Sequence, residues 1–224
     1  MGARPVPVQA AAAIRYNCFY DQHGNRFLKN LTQGKVKTRL SATIGDLQAL
    51  EVYSRRVTHT LGQVSRPDLD TLLYFSDSLH NDLPVLKSQF SLRLQKGDDL
   101  GGRMSNAFEE VFGSSAEKAL VIGTDCPGLD SSIIDKAFDS LDTHQVVIGP
   151  ATDGGYYLLG MKNFQKCLFE EIPWSTAKVL ELTLQKCVKH KLSYTLLTEL
   201  SDIDSENDLD AWNELQKVNE SGES

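Results

Sequence analysis

A short basic segment is the first part of the sequence whose residue types suggest chemistry. Residues 34–39 read Gly-Lys-Val-Lys-Thr-Arg, so one glycine, three cations and a hydroxyl fall within six positions. Glycine allows a backbone to approach a ligand closely, and lysine and arginine neutralise phosphate oxygens. The GxxxxGK[ST] pattern of a Walker A loop is absent. A phosphate site and a solvated basic turn explain the segment about equally well.

An acidic residue follows the strongest apolar run of the chain. Residues 118–125 read KALVIGTD, which predicts a buried strand that ends in Thr124 and Asp125. Ligands of open α/β sheets bind at the carboxyl ends of strands, and Mg²⁺ often takes only one or two protein carboxylates. The alternative is that Asp125 only caps the turn after the strand. The position favours a metal ligand.

Two further acidic segments follow predicted strands. Asp153 precedes a Gly-Gly pair between the strands 145–150 and 156–161, where a hairpin turn is the alternative interpretation. Asp202 and Asp204 follow a strand predicted at 193–198. They could supply a second carboxylate to a metal, or they could begin an acid-rich helix.

Two segments at predicted helix starts complete the set of candidates. Residues 95–104 are rich in glycine and lead into a helix, whose free N–H groups attract anions, and Arg103 is the candidate there. Residues 173–176 read Pro-Trp-Ser-Thr, which predicts a helix cap at Ser175 with Trp174 beside it. A single tryptophan more often packs than binds a ligand.

Alternating strands and helices must position these residues. The alternation predicts an α/β sandwich with a mainly parallel sheet. Residues 27–218 are expected to form a single domain, and residues 1–26 a leader or an irregular segment. The predicted strands are 71–76, 90–95, 118–125, 145–150, 156–161 and 193–198, and the predicted helices are 45–64, 100–113, 131–141, 175–191 and 204–218.

Composition excludes several classes of protein. The 224 residues carry a net charge of −7, which argues against nucleic acid as the main partner. No apolar run approaches the roughly 20 residues of a membrane span. The four cysteines have no CxxC spacing, so neither a zinc site nor a disulfide framework is predicted. A cytoplasmic location is therefore expected.

Six segments together resemble a known family, the rSAM/selenodomain-associated transferases of bacteria and archaea. These are regarded as glycosyltransferases with the GT-A (nucleotide-diphospho-sugar transferase) fold. The segments occur in the family's order over about residues 27–210. They are GKVKTRL (34–40), QKGDDLGGRM (95–104), VIGTDCPGL (121–129), VVIGPATDGGYYLLGM (146–161), LFEEIPWST (168–176) and SDIDSENDL (201–209).

The resemblance implies a Rossmann-like α/β/α sandwich with a mostly parallel mixed sheet, which binds a nucleotide diphosphate together with Mg²⁺ or Mn²⁺. It implies a metal ligand at Asp125, a second metal position near Asp202 or Asp204, and an acceptor or metal loop around Asp153. Asp153 is the candidate catalytic base. The candidate nucleotide- or phosphate-binding residues are Gly34, Lys35, Lys37, Thr38, Arg39, Gln95, Gly101, Arg103 and Thr124; the metal candidates are Asp125 and Asp204; the acceptor-loop candidates are Gly154, Gly155, Tyr156 and Trp174.

The chain departs from the family's pattern in two places. Residues 25–31 read NRFLKNL, where the family has an apolar strand followed by Lys-x-Pro. Thr124-Asp125-Cys126 lacks the second acid of the Asp-x-Asp motif of many glycosyltransferases, although substrate phosphates can supply further metal ligands. The expected function is a metal-dependent transfer from a nucleotide-activated small-molecule donor, foremost of a sugar, to an acceptor that the sequence does not identify. The alternatives are transfer of a nucleotidyl group from an NTP and a catalytically silent nucleotide-binding relative.

Overall fold

A seven-stranded sheet in the order β3-β2-β1-β4-β6-β5-β7 organises the chain. The computed structural model describes residues 15–20, 44–75, 90–114, 116–124 and 126–201. In this part of the chain, no helix is both long and apolar enough to cross a membrane. The strands are β1 (Arg15–Tyr20), β2 (Asp70–Phe75), β3 (Phe90–Leu94), β4 (Lys118–Gly123), β5 (Val146–Pro150), β6 (Tyr156–Met161) and β7 (Tyr194–Leu196). The α-helices are α1 (Asp46–Val64), α2 (Leu100–Gly113), α3 (Ser131–Thr143) and α4 (Val179–Lys189), and Lys166–Phe169 forms a 3₁₀ turn.

The sheet is parallel except at β6. That strand runs antiparallel to both of its neighbours, β4 and β5, whereas all other neighbouring strands are parallel. The carboxyl ends of β1, β2, β4 and β5 therefore point to the same edge of the sheet, where α/β proteins bind their ligands. The prediction of an α/β sandwich with a mostly parallel mixed sheet is confirmed.

Each face of the sheet carries its own apolar core. Along β4, Leu120 and Ile122 face the cluster under α1 and α3, and Ala119 and Val121 face the cluster under α2 and α4. All four side chains are fully buried. A strand covered on both faces is apolar at successive positions, which explains the uninterrupted run that the sequence shows there.

The first strand lies upstream of the predicted start of the domain. Residues 15–20 pair with β2 on one side and with β4 on the other, so this strand occupies the centre of the sheet. The prediction of a leader or irregular segment over residues 1–26 arose because DQHGN separates NCFY (17–20) from the next apolar residues, FLKN (27–30). The structure thus begins the sheet before Phe27.

The helix after Trp174 begins later than predicted. Ser175 has a φ angle of +64° and does not cap a helix, so the prediction of an N-cap at Ser175 is wrong. The hydroxyl of Thr176 instead donates to the carbonyl oxygen of Pro173 over 2.7 Å. These residues form an irregular turn, and α4 begins only at Val179.

Candidate functional site

Three segments meet at one corner of the carboxyl edge of the sheet. The N–H of Thr152, between β5 and β6, donates to the carbonyl oxygen of Leu200, which follows β7, over 3.1 Å. The hydroxyl oxygens of Thr152 and Ser201 lie 3.5 Å apart. A side chain of Leu200 also covers Gly128 in the turn after β4, where an added Cβ would lie 3.1 Å from it. These contacts could not be predicted from the sequence, because they join residues that are far apart in the chain and no local pattern connects them.

A buried hydroxyl marks the end of β4. Thr124 is 1% exposed, and its Oγ1 has no hydrogen-bond partner among the residues that the structure describes. A buried, unsatisfied polar group of this kind costs about 1–3 kcal/mol, so such groups are rare away from functional sites. Thr124 directly precedes Asp125, which lies outside the described residues.

Asp153 occupies an exposed turn with one of its oxygens fixed. Its Oδ1 accepts a hydrogen bond from the N–H of Gly155 over 2.8 Å. The turn is closed by hydrogen bonds between Ala151 and both Gly154 and Gly155. Gly154 has a φ angle of +86°, a conformation that favours glycine. The carboxylate is thus held in place and remains accessible to solvent.

Tyr156 lies apart from the glycines that precede it. Its side chain is buried in the core under α2 and α4. Burial raises the pKa of its hydroxyl well above the usual 10.0, an effect that a hydrogen bond with Thr183 of α4 partly opposes. This placement suits packing, whereas Gly154 and Gly155 stay at the surface of the loop.

Side chains near the start of α2 form hydrogen bonds with the backbone and with each other. The carboxylate of Asp99 accepts from the N–H of Gly102 over 2.7 Å and caps the helix. The guanidinium of Arg103 donates through Nε to the carbonyl oxygen of Gly97 over 3.0 Å, and its Nη1 lies 3.5 Å from Oε1 of Gln95. The amide of Gln95 in turn donates to the carbonyl oxygen of Tyr74 over 3.2 Å. The structure thus brings Gln95 and Arg103 together in a hydrogen-bonded loop, residues 95–103, at the carboxyl ends of β2 and β3.

The indole of Trp174 packs so closely on Gly101 that no larger residue fits at this position. A Cβ placed on Gly101 would lie 1.9 Å from Nε1 and 2.2 Å from Cε2 of Trp174. The indole also stacks on Phe169, with ring centroids 6.3 Å apart. Gly101 and Trp174, predicted to serve the nucleotide and the acceptor respectively, are therefore in direct contact.

Several candidates lie outside the described residues and stay predictions. In the described part of the chain, no group of three or more histidine, cysteine, aspartate or glutamate side chains could hold a metal ion. The candidates outside are Gly34, Lys35, Lys37, Thr38, Arg39, Asp125, Asp202 and Asp204, together with the predicted helix 204–218.

Comparison with known proteins identifies the family of the chain. Residues 60–176, just over half of the chain, match a family described as "Uncharacterized protein conserved in bacteria (DUF2064)". No curated protein matches the sequence. A solved structure from Desulfovibrio desulfuricans G20, described as a "putative nucleotide-diphospho-sugar transferase", is 30% identical with a TM-score of 0.76, and the match covers 85% of this chain and 82% of that one.

More distant structures share the fold. The 4-diphosphocytidyl-2C-methyl-D-erythritol synthase of Anaerococcus prevotii DSM 20548 is 11% identical with a TM-score of 0.56, over 91% of this chain and 96% of that one. The inositol-1-phosphate CTP transferase of T. maritima is 15% identical with a TM-score of 0.52, over 93% and 97%. The chain belongs to the DUF2064 family and has the fold shared by nucleotide-diphospho-sugar transferases and nucleotidyltransferases.

Proposed function

We propose that this chain is a nucleotide-using transferase, and specifically a metal-dependent glycosyltransferase that takes a nucleotide-diphospho-sugar as donor. The observation that carries the proposal is the 30% identity, over 85% of the chain, with the Desulfovibrio protein described as a "putative nucleotide-diphospho-sugar transferase". The segments that define the rSAM/selenodomain-associated branch support the same donor class, and membership of that branch is part of the proposal.

The corner around Thr152 is the proposed donor site. Asp125 and Asp204 would hold Mg²⁺ or Mn²⁺, which when bound neutralises charge on the leaving diphosphate. The unpartnered hydroxyl of Thr124, next to Asp125, supports a ligand here. So does the contact of Ser201 with Thr152, because Ser201 directly precedes Asp202. Lys35, Lys37 and Arg39 would bind phosphate oxygens.

Asp153 is the proposed general base. The hydrogen bond from Gly155 fixes Oδ1 at 2.8 Å and orients the carboxylate. The exposed Oδ2 can accept the proton of an acceptor hydroxyl as that hydroxyl attacks the sugar. Gly154 and Gly155 carry no side chains that would block an acceptor approaching this oxygen.

The experiment is a thermal-shift panel of nucleoside diphosphates, their sugar conjugates and nucleoside triphosphates, each with and without Mn²⁺. A ligand at 100 times its Kd adds about 2.7 kcal/mol, and for a chain of this size the shift is about 5–10 °C. The proposal predicts a Mn²⁺-dependent shift with one nucleoside diphosphate, lost in Asp125→Ala. Asp70→Asn is the matched control, because Asp70 is an exposed acid at the start of β2, the opposite edge of the sheet.

The other outcomes identify the alternatives. A shift confined to triphosphates, with pyrophosphate released in the presence of a phosphorylated acceptor, would replace glycosyl transfer by nucleotidyl transfer. The absence of any shift with metal present would overturn the proposal, because neither a nucleotide donor nor nucleotide binding would then be detectable. A shift that persists in Asp125→Ala would remove Asp125 from the site.

A further inference from the structure

Trp174 packs against α2 at two positions along the helix, directly at its start and through Phe169 further along. Its indole lies against Gly101 in the first turn, where a Cβ would clash at 1.9 Å. Its other neighbour is Phe169, which packs on Phe108 further along α2 with ring centroids 5.8 Å apart. The tryptophan therefore cannot shift without disturbing either the helix start or this aromatic column.

The residues that follow Trp174 are fastened to the Asp153 turn. The N–H of Leu180 donates to the carbonyl oxygen of Gly154 over 2.9 Å. Gly154 lies so close to Ala177 that a Cβ would approach its carbonyl oxygen to 2.3 Å. Residues 174–180 thus form a short bridge between the start of α2 and the turn that carries Asp153.

The backbone on both sides of Trp174 is held in an uncommon conformation. Glu171 and Ser175 have φ angles of +56° and +64°, although neither is a glycine. Such conformations cost about 1–3 kcal/mol each and persist only where the surroundings impose them. Trp174, held against Gly101 and Phe169, lies between these two positions, and Lys186 also donates to the carboxylate of Glu171 over 2.9 Å.

We propose that Trp174 is a positioning residue, which fixes the Asp153 turn relative to the hydrogen-bonded loop of residues 95–103 at the start of α2. The indole contacts the start of α2 at Gly101, and residues 175–180 connect it to the Asp153 turn at Gly154. Its catalytic meaning, alignment of an acceptor base with a donor-binding loop, rests on the proposed function. The mechanical coupling itself does not.

The test is amide hydrogen exchange, followed residue by residue by NMR in the full chain. The reporters are the N–H groups of Gly102, which bonds Asp99, of Gly155, which bonds Asp153, and of Leu180, which bonds Gly154. In Trp174→Ala we expect exchange to rise about tenfold or more at all three positions, as local opening becomes easier. Trp174→Phe keeps a ring on Phe169 and should restore most of the protection.

The control is Phe112→Ala, which removes a ring that stacks on Phe108 at 6.3 Å. It weakens α2 without touching the bridge, so Gly155 and Leu180 should keep their protection. Faster exchange at Gly102 alone in Trp174→Ala would overturn the proposal, as would an equal response in Phe112→Ala. If Trp174→Ala does not fold, Gly101→Ala displaces the same indole and should give the same three-site pattern. Because no ligand is needed, a failed nucleotide panel and a failed coupling give separate results.

Discussion

The N–H of Thr152 donates a hydrogen bond to the carbonyl oxygen of Leu200 over 3.1 Å, and the N–H of Leu200 donates to the carbonyl oxygen of Pro150 over 3.0 Å. This pair continues the parallel register of β5 and β7 beyond the last strand residues. It places the residue before Asp153 beside the chain that leads into Asp202. Thr152 and Ser201, each of which directly precedes an aspartate in the sequence, thus meet at one corner of the sheet, and this contact supports the proposed donor site.

Thr124→Val should separate stability from ligand binding. The variant replaces a buried hydroxyl that has no partner among the described residues by a methyl group of similar shape, so the free energy of unfolding should rise by about 1 kcal/mol. If the hydroxyl serves the nucleotide or its metal, the thermal shift with nucleotide and Mn²⁺ should fall at the same time. Denaturant unfolding and the thermal-shift panel measure the two effects.

Thr183→Val is the matched control for that substitution. Its hydroxyl is equally buried but donates to the carbonyl oxygen of Val179 over 2.8 Å, so its loss should lower the free energy of unfolding by about 1 kcal/mol. Opposite signs for the two threonines are the expected result. A loss of stability in Thr124→Val would show that its hydroxyl has a partner after all.

Gly154→Ala should destabilise the protein strongly. Gly154 has a φ angle of +86°, and a Cβ would approach the carbonyl oxygen of Ala177 to 2.3 Å. Backbone strain of this kind costs about 1–3 kcal/mol, and the clash adds to it. Gly62→Ala on α1 is the control, because nothing lies within 4 Å of its Cβ position and alanine is favoured in helices by about 1 kcal/mol. Equal stability of both variants in denaturant unfolding would contradict the close approach at Ala177.

The sequence predicted those elements whose limits are set by local signals. The bounds of α2 and β6 agree with the prediction at both ends, because apolar periodicity stops at polar or glycine-containing turns. For α3 the sequence offers Asp130 or Ser131 as the N-cap, and the structure has Asp130. The strand at 15–20 was missed, because a central strand is defined by its pairing partners, and RYNCFY carries a weak apolar signal of its own.

The sequence predicted which loops form the candidate site, but it did not predict the contacts between them. Glycine-rich composition and strand ends predicted the segments around Arg103 and Asp153. The role of Gly101 depends on Trp174, a residue much later in the chain, and no local pattern connects them. A Ser-Thr pair suggested a cap at Ser175, and the long-range packing of the neighbouring indole overrode it.

Asp130 should make the stability of α3 depend on pH. Its carboxylate accepts from the N–H of Ile133 over 2.9 Å and from the hydroxyl of Ser132 over 2.7 Å. Burial alone would raise the pKa of this carboxyl, but these hydrogen bonds outweigh it and hold the pKa below the usual 3.8. A lowered folded-state pKa contributes stability above the unfolded-state value, and this contribution is lost as the pH falls through the folded-state pKa.

Asp130→Ala should therefore cost about 0.5–2 kcal/mol of unfolding free energy at neutral pH. The difference from the unchanged protein should shrink below about pH 4, in urea unfolding measured from pH 7 to pH 3. Asp130→Asn keeps a neutral cap and isolates the contribution of the charge. A difference between the Asp and Asn proteins that grows towards low pH would contradict the sign of this shift.

The described cysteines should react in the order of their exposure. Burial, with a smaller effect of Cys167 nearby, raises the pKa of Cys187 to about 11, so little of its thiolate exists at pH 8. Cys167 is only partly buried, although burial raises its pKa as well, and Cys126 is 2% exposed. Because the thiolate is the reactive form, a disulfide reagent at pH 8 should label Cys167 before Cys126 and Cys187. Timed labelling with peptide mass spectrometry measures the order, and unfolding in guanidinium should then expose all four cysteines of the sequence. Labelling of Cys187 as fast as Cys167 would mean that α4 opens readily from the sheet. The bridge of residues 174–180 ends in the first turn of that helix, so it would then be too mobile to hold a base in place.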